Sequence, residues 1–117
     1  MKIDANPVFS APVKLTVPGE EVLAELSITW KHKDRDALKE WSARPLRATE
    51  TGIVATEIEA EYLAEVIADW KGPVDAAGLP VPFSTTALAR MLQTHPIAGQ
   101  ELYSQYLKAM TESRLKN

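Results

Sequence analysis

Cysteine is absent from the 117-residue chain. That removes disulfides, thiol catalysis and cysteine-ligated zinc, and it suits a reducing compartment. Histidine is nearly absent. His32 and His95 stand far apart, and neither has a second histidine three or four positions on, so a zinc or iron site has no framework. Only five glycines occur, and none forms a glycine-rich loop ahead of a helix, so neither phosphate-binding pattern is present. No serine sits between glycines as a nucleophile elbow. Basic residues are not in excess: 13 Lys and Arg against 16 Asp and Glu give a net charge of −3, where a nucleic-acid binder carries surplus cations. No stretch approaches the roughly 20 apolar residues of a bilayer span. The start, Met1-Lys2-Ile3-Asp4, reaches Asn6 and Pro7 without the apolar run of a signal peptide. These absences point to a soluble cytoplasmic protein without cofactor, metal, nucleic acid or membrane partner.

What the chain does have is a core. Apolar residues make up 45% of it, and a domain of this size buries roughly two-thirds of its unfolded surface. Residues 1–12, with Pro7 and Pro12 and no periodicity, read as an irregular N-terminal arm, and residues 13–117 as one α+β domain. Val13, Leu15 and Val17 alternate with Lys14 and Thr16, the two-residue period of a half-buried strand. Pro18-Gly19 is a turn signal, and the alternation resumes through Val22, Ala24, Leu26, Ile28 and Trp30. A lone hairpin is marginal in water, so helices must cover its apolar face.

Asp34 is placed to cap a helix of about ten residues that carries Leu38 and Trp41 inward and ends before Pro45. Residues 45–54 read as a connection. Ile58, Tyr62, Leu63, Val66, Ile67 and Trp70 recur at spacings of three and four, which predicts a second helix stopped by Gly72-Pro73. Residues 72–83 hold three prolines and two glycines and cannot be regular, although Val81 and Phe83 are expected to tuck onto the core. Ser84 offers a cap for a third helix with Leu88, Met91 and Leu92. His95-Pro96 breaks it, and a last helix carries Ile97, Leu102, Tyr103, Tyr106, Leu107 and Met110, with Arg114 and Lys116 suiting its negative end. The expected fold is α+β, an N-terminal β-hairpin packed against a bundle of about four helices.

Two features qualify as partner-binding candidates. Glu57, Glu61, Glu65 and Asp69 fall on every fourth residue of the predicted second helix. They would line one acidic ridge, at a cost of a few tenths of a kcal/mol per like-charged pair. Such a ridge is either a solvated face or a docking edge for a basic partner helix. Tyr103 and Tyr106 are open to two readings as well, core packing or an exposed interface on the last helix. Trp30, Trp41 and Trp70 each fall on an inward face.

The chain resembles the small tail-assembly chaperones of siphophage and prophage gene clusters. The likeness begins at Asp69-Trp70-Lys71-Gly72-Pro73-Val74 and continues through Val81-Pro82-Phe83-Ser84 into a helix with Leu88 and Met91-Leu92. Thr94-His95-Pro96 stands where the family has an aromatic-proline break, with histidine replacing the aromatic. Tyr106-Leu107 and the ending Arg114-Leu115-Lys116-Asn117 complete the pattern. Upstream, Trp30-Lys31-His32-Lys33 and Asp34-Arg35-Asp36 resemble the family's strand end and helix start, so the likeness spans residues 8–117. The connection at 43–54 is longer than the family's.

The resemblance implies a non-catalytic protein of the host cytoplasm. Its partner would be the long helical tape-measure protein, coated until tail-tube subunits assemble around it, with the major tail protein as a second partner and self-association along the rod. A minor structural tail protein, such as a terminator or connector subunit, is the competing reading. A small enzyme is the third, and it lacks any clustered nucleophile, base or metal set.

Overall fold

The computed structural model of the chain describes residues 7–46 and 55–112. The readings of residues 1–6, of most of the 45–54 connection and of the 114–117 ending lie outside them. The elements run β1 (Val8–Leu15), β2 (Ala24–Lys31), α1 (Arg35–Ala43), α2 (Thr56–Ala64), β3 (Ile67–Lys71), α3 (Thr85–Thr94) and α4 (Ala98–Glu112). The expected α+β fold, a hairpin against four helices, is borne out, but the sheet has three antiparallel strands in the order β1-β2-β3 rather than two.

β1 starts at Val8, so residues 8–12 belong to the sheet and not to an irregular arm. The proline that suggested irregularity is harmless where it stands. The Lys14 N–H donates to Gln105 Oε1 at 3.0 Å, and the Lys14 carbonyl accepts from Gln105 Nε2 at 2.7 Å. Even-numbered residues of this edge strand therefore turn their backbone groups away from β2. Pro12 has that parity, and its missing N–H costs no ladder bond. Phe9 and Ala11, part-buried, extend the inward face begun by Val13 and Leu15.

The turn after β1 follows its residues. Glu20 N–H donates to the Val17 carbonyl at 3.0 Å, with Pro18 second in the turn and Gly19 third at φ 80°, the arrangement a type II turn demands. Val22, expected in the next strand, lies outside it and is 75% exposed. β2 then alternates as expected, burying Leu26, Ile28 and Trp30.

The predicted second helix stops at Ala64, and its last third is instead β3. Val66, Ile67 and Trp70 are β-branched or aromatic and fit a strand at least as well as a helix. The register shifts between Thr29 and Trp30, so that Ile28 faces Trp70 while Trp30 faces Ile67, and Ala68 is the extra residue. That bulge puts Ile67 and Trp70, three apart, on the same buried face, a spacing that strict alternation forbids and a helix mimics.

Caps act where expected. Asp34 Oδ1 accepts from Ala37 N–H at 2.8 Å, and Ser84 Oγ from Ala87 N–H at 3.0 Å. α1 ends with Arg44 extended, as the residue before a proline prefers. The last helix begins at Ala98, after a turn closed by Ala98 N–H on the His95 carbonyl. Ile97 therefore sits outside it, 47% exposed.

All helices lie on one face of the sheet. Val13, Leu15, Ile28, Trp30 and Ile67 pack there with Trp41, Leu63, Leu88, Leu102 and Tyr106 in one continuous core. Each such side chain contributes roughly 1.5–3 kcal/mol by leaving water. The opposite face is polar: Ser10 and Thr29 share a 2.9 Å hydroxyl bond across the strands, and Lys14 faces Glu25. α4 is stitched along β1, since the Thr16 N–H and hydroxyl both donate to the Glu101 carboxylate beyond the Gln105 pair.

Candidate partner-binding surfaces

The structure separates the four acidic residues of the expected ridge. Glu57 and Glu61 are exposed on α2, beside a shallow polar groove shared with Thr85, Thr86 and Gln93 of α3. Glu65 lies beyond the helix, ion-paired with Arg44. Asp69 stands in β3, where its carboxylate accepts from the Trp70 N–H at 2.9 Å. A continuous acidic ridge does not form, because the helix that would carry it ends at Ala64. Glu57 and Glu61 remain surface groups with no ion pair among the described residues.

The tyrosines divide too. Tyr106 is 0% exposed and donates its hydroxyl to the Lys31 carbonyl at 2.8 Å, so it is core and not an interface residue. Burial pushes its phenol up to about 12. Tyr103 is half-buried, one ring face lying on Trp41 at 5.4 Å. Around them an aromatic cluster joins α1, α2 and α4. Trp41 stacks on Tyr62 with centroids 4.4 Å apart and meets Tyr106 edge-on at 5.3 Å. Trp41 Nε1 donates to the Tyr62 carbonyl at 3.1 Å, and the Tyr62 hydroxyl donates to the Trp41 carbonyl at 2.6 Å. Burial, with Tyr103 nearby, raises the Tyr62 phenol to about 12. All three tryptophans are buried.

A second surface was not singled out by periodicity. An open groove of about 360 Å³ runs between the sheet end, the 72–83 segment and α3, with Leu15, Leu26, Trp70, Val81 and Met91 in its walls. Trp70 is fixed there by its Nε1–H bond to the Val81 carbonyl, 2.7 Å, and by Phe83 edge-on at 5.1 Å. Val81 and Phe83 are thus part-buried against the core, as expected. Asp75 Oδ1 ties the segment's turn by accepting from Ala77 and Leu79 N–H groups.

Large apolar side chains stand in water around this groove. Val74, in its wall, is 58% exposed, and Leu79, whose carbonyl bonds the wall residue Asp75, is 61% exposed. Val22 and Leu23 lead into wall residue Ala24, and Ile97 follows wall residue His95 by two positions. The signal that could have found this surface was the apolar content of two loop segments, 20–23 and 73–81, where water-facing chain is normally polar.

The two histidines stand apart among the described residues. His95 Nδ1 is engaged with the Thr94 hydroxyl at 2.8 Å, and His32 lies at the far end of β2. Among the described residues no three of His, Asp and Glu gather as a metal site, and no helix is long and apolar enough to cross a membrane.

The family model described as phage tail assembly chaperone covers residues 1–117. The chain belongs to the phage tail assembly chaperone family. No curated protein and no solved structure matches it. Membership gives this chaperone a role in tail assembly with protein partners, and it points to a non-catalytic way of working.

Proposed function

We propose that this chaperone binds the tape-measure protein in the host cytoplasm and holds it soluble until tail-tube subunits surround it. The observation that carries the reading is the groove walled by Trp70, Leu26 and exposed Val74, with exposed Leu79 bonded through its carbonyl to the wall residue Asp75, in a chain of the tail-assembly chaperone family. A folded protein that leaves such side chains in water at one place has a use for them there. A long amphipathic helix presents the complementary stripe, and laying it in an apolar groove removes both surfaces from water. Glu57 and Glu61, exposed on α2, and the open edge of Tyr103 would contact flanking charge and side chains of the same rod. Several copies along one rod would bring neighbouring chaperones together.

Co-expression with the tape-measure protein of the same tail gene cluster tests this. The tape-measure protein is expected to move into the soluble fraction and to co-purify with the chaperone. A tape-measure protein that stays insoluble, with no recovered complex, overturns the reading. Mass spectrometry of finished particles separates it from a minor tail component, since the chaperone is then absent or scarce.

A further inference from the structure

The acids of α2 do not all face outward. Glu59 is offset from Glu57 and Glu61 and points to the side of Tyr62 and Leu63, three and four residues on, which faces α4. Its carboxyl lies against Gly99, where any Cβ would overlap it. Among the described residues no cation and no hydrogen-bond donor is paired with it, whereas the neighbouring Glu40 and Glu65 are both held by Arg44. The carboxyl opens into a pocket of about 290 Å³ walled by the rings of Tyr62 and Tyr103, whose centroids are 6.5 Å apart.

We infer that this pocket receives one cationic side chain, a lysine or an arginine, presented by the chaperone's protein partner. The inference rests on the chaperone reading for the identity of that partner and on geometry for the chemistry. A half-buried carboxylate with no partner among the described residues is partly stripped of water, and an arriving cation with its own hydrogen bonds offsets that cost. The half-buried Tyr103 in the same wall is an aromatic side chain that attracts such a charge, as Arg44 over the Tyr62 ring at 5.9 Å shows for its neighbour. Arg44 does not repel the visitor on balance, because Glu40 and Glu65 together more than neutralise it. A metal ion fits poorly, with a single carboxylate and no group of three ligands among the described residues. Burial holds the Glu59 carboxyl above its ordinary range. The groups facing it are Arg44 from the end of α1, Tyr62 on α2 and Tyr103 on α4, with Glu65 acting through Arg44. Lowering the pH therefore neutralises Glu59 earlier than the free surface acids and removes the attraction.

The probe is n-butylguanidinium, titrated into the ¹⁵N-labelled full chain, with n-butylurea as its neutral counterpart. Saturable shifts of the Gly99 and Gln100 amides are expected with the cation only. They should weaken at least about tenfold in Glu59→Gln, and in the wild type they should fade as the pH drops through the raised Glu59 range, a readout that needs no variant. In complex with the tape-measure protein, Glu59→Gln should lose about tenfold in affinity and some of its salt dependence. Equal shifts with the urea, no shift at Gly99 and Gln100, or an unaltered titration in Glu59→Gln overturns the inference. Binding of n-butylguanidinium without any binding of the tape-measure protein would leave the pocket and remove the chaperone's proposed partner. The reverse result would remove the pocket alone.

Discussion

Two regions of this chaperone handle their large side chains in opposite ways. Where α1, α2 and α4 meet, Trp41, Tyr62 and Tyr106 are buried in mutual ring contact, and the Trp41 indole and both phenols hydrogen-bond to backbone carbonyls. At the other end, by the groove between the sheet and the 72–83 segment, Val74 in the wall and Leu79 in the same segment are largely exposed among the described residues. The first region satisfies itself and so sets the fold. The second leaves apolar surface unsatisfied, which is tolerable only if a partner completes it. Substitutions should therefore separate the regions: stability should fail in one, binding in the other.

The largest loss of stability is expected at Trp41. Trp41→Ala removes a fully buried ring and deprives the Tyr62 carbonyl of its indole donor, at a cost of about 3–5 kcal/mol. A urea titration read by circular dichroism should show the midpoint collapse, and a near-unchanged midpoint would mean that the aromatic cluster does not hold the fold. Gln105→Ala comes next. It deletes both bonds to Lys14 on the outer side of β1, for about 1–2 kcal/mol in total given their exposure. It also uncovers an edge strand, so light scattering should report added self-association.

How much of this contrast was legible in the chain differs by region. The caps Asp34 and Ser84, the Pro18-Gly19 turn and the inward faces of β1, β2 and α4 follow from local chemistry, and local chemistry is what a sequence displays. β3 was hidden because a bulge at Ala68 gives its buried residues a helical spacing. Pro12 looked like a strand breaker because the parity that makes it harmless depends on Gln105, some ninety positions away. Tyr103 and Tyr106 have the same chemistry in the sequence, and only the path of β2 decides that Tyr106 is sealed under Lys31. The acidic ridge failed for the same reason as the long second helix. The groove needs three separate segments brought together, and no single stretch carries that pattern.

At the groove the expectation reverses. Val74→Ser and Leu79→Ser change side chains that already face water, so stability should move by no more than about 0.5 kcal/mol. The amount of tape-measure protein kept soluble in co-expression should nevertheless fall several-fold, because the lost methyl groups were to be buried on the partner. Normal solubilisation by the double variant would move the docking surface elsewhere and break the contrast between the two regions. A melted double variant would break it differently, by showing that the rim is structural.

The smallest effect is expected at Glu59, and its sign is diagnostic. Its carboxyl titrates higher in the folded chain than its ordinary 4.5 because burial disfavours the charge. Between 4.5 and that raised value the folded state binds more protons than the unfolded one, so stability falls as the pH rises through the window and stays lower above it. Glu59→Gln carries no such penalty. The variant should therefore be slightly more stable than the wild type at pH 7, and the gap should close as the pH drops below 4.5, where both states of the wild type are protonated. Urea midpoints at pH 7 and pH 4 measure the difference. A variant that is less stable at pH 7 would mean that the charge is already paired within the chaperone, and Glu59 would then join the self-satisfied region instead of the surfaces left open for a partner.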